Sequence, residues 1–255
     1  MQSLKNIILL ICLLSQFSCS AQVAKNQVQL GLPSIQQEAT SIWRTINDIN
    51  FLEQQGYQIN LPKNDEIQSL ISKSKSKNFG NEDFNAIYNL LEAGIYNKDN
   101  YEEALTKVKA QKALMDSLLV QLKSAKEKWN WEFKLFDAYP IVFTLYGTGG
   151  SYDPESGTVT LLTNSKGNFM KYEKPAYTIM HEIIHMGIEA SIVQKYNLPH
   201  GLKERIVDKI TYLLFKDSLP EYKIQNMGDP EIDQYLNSRE DIKHLNSSIE
   251  RYLKK

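Results

Sequence analysis

Residues 179–193 restrict the fold of this chain more than any other stretch. Ile179, Met180, Ile183, Ile184, Met186, Ile188, Ile192 and Val193 make a helix there apolar almost all the way round, and a helix of that kind is buried. Inside it stand His181, Glu182 and His185, which spell His-Glu-Ile-Ile-His. Buried polar side chains must find partners. Residues i and i+4 of a helix lie one above the other on one face. Two imidazoles so placed can share one Zn²⁺, while the glutamate directly after the first His flanks the ion without ligating it. That glutamate can take a proton from a water the metal activates. The plainer alternative is a structural polar cluster, which would satisfy these groups less completely.

The H-E-x-x-H spacing resembles that of the zincin metallopeptidases. A tetrahedral site needs a third protein ligand and leaves its fourth position to water. The metzincin extension would place a histidine where this chain has Ser191. After an eighteen-residue gap, however, Glu204 is followed by Arg205-Ile206-Val207-Asp208. A gap of that length and then E-x-x-x-D is similar to the gluzincins, the thermolysin-like and aminopeptidase-type zinc peptidases. The resemblance implies that Glu204 is the third ligand of a single Zn²⁺ and that Asp208 orients a ligand histidine. Glu189 is the rival, four residues after His185. Its Cα would lie about 12 Å along the axis from His181, at about 1.5 Å rise per residue, which is too far for three ligands on one straight helix to converge. The resemblance is confined to residues 175–210.

A chain of 255 residues forms one domain or two modest ones, and 42% apolar with 23% charged residues is the composition of an ordinary globular protein. A formal net charge of −1 gives no polyanion-binding footprint and speaks against nucleic acid as a partner. Residues 1–22 read as a targeting segment. Lys5 supplies a positive start, and Ile7 to Leu14 form an apolar core too short to span a bilayer. Ser18-Cys19 resembles a relaxed lipobox with Gln16 in place of an aliphatic residue, so a lipid anchor at Cys19 is expected. Ordinary cleavage after Ala21 is the alternative. Both readings export the protein from a bacterial cytoplasm, lipid-anchored in the envelope by the first and soluble by the second. Cys12 and Cys19 both fall in this segment, so the mature body can form no internal disulfide.

Residues 23–33 read as a tether. Helical periodicity then predicts helices over 34–56, to about Ser74, from a cap at Asn81, and from a capping box at Asn100 to about Trp129. Near Tyr139 the pattern changes. Strands are expected at Tyr139–Tyr146 and Thr158–Thr163, with turns at 147–150 and 153–157. By resemblance, the Thr158–Thr163 strand offers the edge that pairs with a substrate backbone. Pro175 suits the first turn of the metal helix, which runs to Tyr196-Asn197. A helix over 202–216 places Glu204, Asp208 and Tyr212 along one side. One or two polar helices, Pro230–Leu236 and Arg239–Leu253, close the chain.

The expected architecture is α+β and mostly helical. A helical region at 23–135 is followed by a zincin-like catalytic region at 136–255, with a short β-sheet and two metal-bearing helices. The function the resemblance implies is zinc-dependent hydrolysis of peptide bonds in a peptide or protein substrate, with endopeptidase favoured. Glu182 is the general base, and His181, His185 and Glu204 are the zinc ligands. An oxyanion stabiliser could come from Tyr196, Tyr212, His200 or His244, of which Tyr212 has the best face. The competing reading is a membrane-anchored helical binding protein whose metal site is structural.

Overall fold

The computed structural model of the protein describes residues 26–254; the expected targeting segment at 1–22, with Cys12 and Cys19, lies outside them. The first element falls in the expected tether and is a strand, β1 (Gln27–Leu30). Its Val28 is buried in the core, which a solvated tether would not allow. α1 (Ile35–Asn47) opens with a full capping box, Ser34 Oγ accepting from Gln37 N and Gln37 Oε1 from Ser34 N. The helix expected over 34–56 is interrupted at Asp48 and resumes as α2 (Ile49–Gln54). α3 (Asp65–Lys75) is capped by the Asn64 side chain. Asn81 does not cap the next helix: it opens a 3₁₀ turn (Asn81–Asp83) in which Asp83 accepts from Gly80 N, and α4 (Phe84–Leu90) follows without a side-chain cap.

The long helix expected from Asn100 is two helices, α5 (Glu102–Ala110) and α6 (Lys112–Lys126), preceded by a 3₁₀ turn that Asn97 caps. The break at Gln111 has a use. Gln111 Oε1 accepts from Ala176 N, 3.1 Å away, at the start of the metal-motif helix. That helix has no side-chain cap of its own, so Gln111 supplies an acceptor for one of its unpaired first-turn donors.

Three further strands follow: β2 (Ala138–Thr144), β3 (Gly150–Asp153) and β4 (Thr158–Leu162). The sheet order is β1-β2-β4-β3, with β1 and β4 parallel to β2 and β3 antiparallel to β4. This corrects the expected substrate edge. β4 has a strand on both sides, and the free edge belongs to β3, part of which was expected to be a turn. Gly149 O accepts from Leu162 N across the ladder. Alternation then turns the peptide groups of Gly150 and Tyr152 outward, away from β4.

One face of the sheet carries Tyr139, Ile141, Phe143, Val159 and Leu161 into the main core. Against that face lies α7 (Ala176–Ile188), buried at every position except Thr178. A π-helical turn, Glu189–Gln194, continues it, and Asn197 with φ +47 ends the run. Next come α8 (His200–Phe215) and the covering helices α9 (Arg239–Lys243) and α10 (Leu245–Leu253), which break at His244 where one helix was expected. The main core draws on α5 and α6 as well as on the sheet and α7. A second cluster joins α1, α3, α4 and the π-helical turn Leu91–Ile95 through Ile42, Ile46, Ile67, Leu70, Ile87 and Leu91. The molecule is thus mixed α and β, mostly helical, around a small four-stranded sheet.

Candidate metal centre

α7 and α8 pack against each other, and the meeting point is polar. His181 and His185 come from one helix and Glu204 from the other, all three buried, and together they could hold a metal ion. His181 Nε2 and His185 Nε2 are 3.0 Å apart, and Glu204 Oε2 lies 3.5 and 3.3 Å from them. Three donors each about 2.0–2.1 Å from one tetrahedral ion stand roughly 3.3 Å apart, so this triangle has the size such an ion requires.

Behind the triangle, His181 Nδ1 lies 2.6 Å from Tyr222 Oη and 3.2 Å from Asp208 Oδ1. Tyr222 donates its own proton to Asp208 Oδ1 at 2.6 Å. The proton between ring and phenol therefore sits on His181 Nδ1, which leaves Nε2 with its lone pair toward the triangle. Asp208 Oδ2 accepts from Gln225 N at 2.7 Å, which ties the loop after α8 to the centre. His185 is held differently. Its ring stacks on Tyr152 at 4.9 Å and 11°, and its Nδ1 is buried without a hydrogen-bond partner.

The side chains by themselves call for positive charge. Burial depresses the His181 pKa, but hydrogen bonds with Asp208 and Glu204 outweigh it and raise the value to about 10. Burial lowers His185 to about 4. Burial would raise Glu204, yet its bonds with the two imidazoles hold it well below the usual carboxylate range. Burial lifts Glu182 to about 7.

Glu182 lines the same cavity of about 450 Å³ as the three donors. It has room only because its neighbour on β3 is a glycine. A Cβ at Gly150 would collide with Glu182 Oε1 and stand 2.6 Å from Thr178 Cγ2.

Glu189, the rival ligand, stands outside the triangle and accepts from Tyr152 Oη at 2.8 Å. Tyr212, expected as an oxyanion stabiliser, is not among the residues lining the cavity; its ring lies under Lys216 Nζ at 5.9 Å. Tyr196 bonds Asn246 and Glu250, and His244 lies near Asn130 and Glu240, all outside the cavity lining. His200 does line it, with Nε2 2.9 Å from Tyr57 Oη and its ring edge-on to Phe51. Sequence reasoning missed Tyr57, Tyr152 and Tyr222. Each comes from a loop or a four-residue strand, where no periodicity singles out one tyrosine among fourteen. No protein-family model matches this chain, and neither a curated protein nor a solved structure matches it.

Proposed function

We propose that the protein is an exported zinc-dependent metallopeptidase of the zincin type, with His181, His185 and Glu204 as its zinc ligands. The carrying observation is the donor triangle with edges of 3.0–3.5 Å, reached from two helices with the spacing H-E-x-x-H and E-x-x-x-D. Two imidazoles and a carboxylate suit zinc, and a centre that keeps three protein donors beside an open cavity suits catalysis better than a closed structural site. When bound, the ion supplies Lewis-acid polarisation of the scissile carbonyl and acidifies a water.

The chain's own residues do the rest. Glu182 takes the proton of the attacking water and delivers it to the leaving amine. Asp208 and Tyr222 fix the His181 ring through Nδ1, and Tyr152 holds the His185 ring by stacking. Tyr57 and His200 face the cavity and can donate to the oxyanion that develops on the carbonyl, the part expected of Tyr212. The outward peptide groups of Gly150 and Tyr152 give an extended substrate an edge to pair with. A cavity that runs along this edge favours internal peptide bonds.

The test is elemental analysis joined to one substitution. Protein purified without added metal should hold about one zinc per chain and hydrolyse casein or fluorogenic peptides in a chelator-sensitive manner. Glu182→Gln should keep the zinc and lose about 10²–10⁴-fold in rate, as expected on removal of a general base. Full zinc with no hydrolysis in the wild type would leave a structural metal site instead.

A further inference from the structure

The metal cavity continues past β3. A second hollow of about 300 Å³ lies between α1 and the sheet face opposite α7, and the two share Arg44, Leu52, Thr148, Gly149 and Ser151. They form one cleft that bends round the free edge of β3, with Arg44 at the bend.

Arg44 reaches there from α1 and donates through Nη2 to Tyr152 O, 3.4 Å away, on that free edge. It forms no ion pair with any described carboxylate. Asp153 is close enough for Arg44 to help lower its pKa, but that carboxylate already accepts from Glu155 N and Ser156 Oγ in its own turn. The guanidinium is thus a cation in a concave polar wall, with most of its donors unspent.

The wall beside it carries several hydroxyls, and the Asp48 and Asp153 carboxylates also line the hollow. Ser151 and Thr160 are register partners across β3 and β4, so their side chains stand side by side on this face. Neither they nor Thr148 donate to or accept from another described side chain or backbone group. A planar, permanently charged fork with free hydroxyls around it matches the oxygens of an anion, and on a peptide that anion is a carboxylate.

We propose that the Arg44 side of the cleft is a carboxylate subsite: Arg44, Thr148, Ser151 and Thr160 receive a carboxylate carried by the peptide whose backbone pairs with β3. Its source is an acidic side chain or the free C-terminus, and the proposal rests on the metallopeptidase reading above. Arg44 is a specificity-determining residue in this account, since it lies on the substrate's path and away from the reacting atoms.

Three fluorogenic peptide forms decide it. One carries a Glu scanned along the sequence with an amidated C-terminus, the second carries Gln with a free C-terminus, and the third carries Gln with an amide. The zinc-loaded wild type should show kcat/KM about tenfold or more higher for one carboxylate form than for the neutral peptide, the scale of a charge-assisted hydrogen bond. Whichever form is preferred identifies the source. Arg44→Gln should bring that ratio close to one, and Arg44→Lys should restore part of it. Equal kcat/KM for all three in the wild type, or a preference that survives Arg44→Gln, overturns the subsite while leaving the hydrolase reading intact.

Binding of the same peptides to zinc-loaded Glu182→Gln protein, followed by anisotropy, separates the two failures. Arg44-dependent tighter binding of a carboxylate form without any wild-type hydrolysis would keep the subsite and remove the reaction. Neither hydrolysis nor carboxylate-dependent binding would remove both.

Discussion

Two glutamates follow the histidine pair, and their surroundings assign them different work. Glu204 closes the donor triangle, whereas Glu189 spends its carboxylate on Tyr152 Oη. Glu204→Ala should therefore strip the metal from dialysed protein, and Glu189→Ala should keep near-unit metal while loosening Tyr152. Asp208→Ala belongs between them, with about 10–100-fold weaker affinity, as is usual for a group that orients a ligand. Metal content per chain reads all three. Metal lost from Glu189→Ala and kept by Glu204→Ala would reverse the assignment. At this scale the sequence was informative where helix period fixes neighbours: His181, Glu182 and His185 share a helix, and Glu204 and Asp208 lie one turn apart on another. Tyr152 and Tyr222 touch those histidines only through tertiary folding, and no local spacing announces that.

Among the elements, α7 is the one whose position decides the rest, and a bare backbone contact seats it. The Phe133 ring abuts Gly187, and Lys134 N donates to Gly187 O at 3.0 Å, so the strap before β2 clamps α7. A Cβ at Gly187 would drive into the Phe133 ring. Alanine gains about 1 kcal/mol of helix propensity over glycine, yet overpacking of this kind costs about 1–3 kcal/mol. Gly187→Ala should lower the Tm, and Phe133→Leu on the same chain should return part of the loss. A melting temperature raised by Gly187→Ala would mean that the strap yields freely. Element types were readable from periodicity for α1, α3, α7 and α8. The breaks at Asp48, Gln111 and His244 were not, because an apolar stripe continues across a one-residue kink. β1 and β3, four residues each, are too short for alternation to register, and the free edge was misplaced with them.

Over the whole molecule, the two hydrophobic clusters meet at a buried acid. Glu38 of α1 accepts from Tyr101 Oη at 2.7 Å and from Leu145 N at 2.9 Å, while its Oε2 is buried without a hydrogen-bond partner. Burial raises its pKa above the ordinary 4.5, against the bonds with Tyr101 and Leu145. Below pH 4.5 both folded and unfolded chains carry the proton. As pH rises past that value, the unfolded chain releases its proton first, so this group's contribution to stability falls until the folded pKa is passed. Glu38→Gln removes the titration and keeps an acceptor for Tyr101 and Leu145. Its Tm advantage over wild type should be larger at pH 8 than at pH 5; an equal or smaller advantage at pH 8 would refute the burial argument.

The same global view gives β1 a meaning its four residues do not suggest. It occupies the sheet edge opposite β3, and the first described residue, Asn26, immediately precedes it. A lipid on Cys19 would leave a leash of seven residues, at most about 25 Å when fully extended. With such an anchor, the β1 edge would lie within about 25 Å of the bilayer, and the cleft at β3 would stand on the opposite edge of the sheet. If the proposed hydrolase reading holds as well, that arrangement would favour chains arriving from the aqueous side over proteins embedded in the membrane.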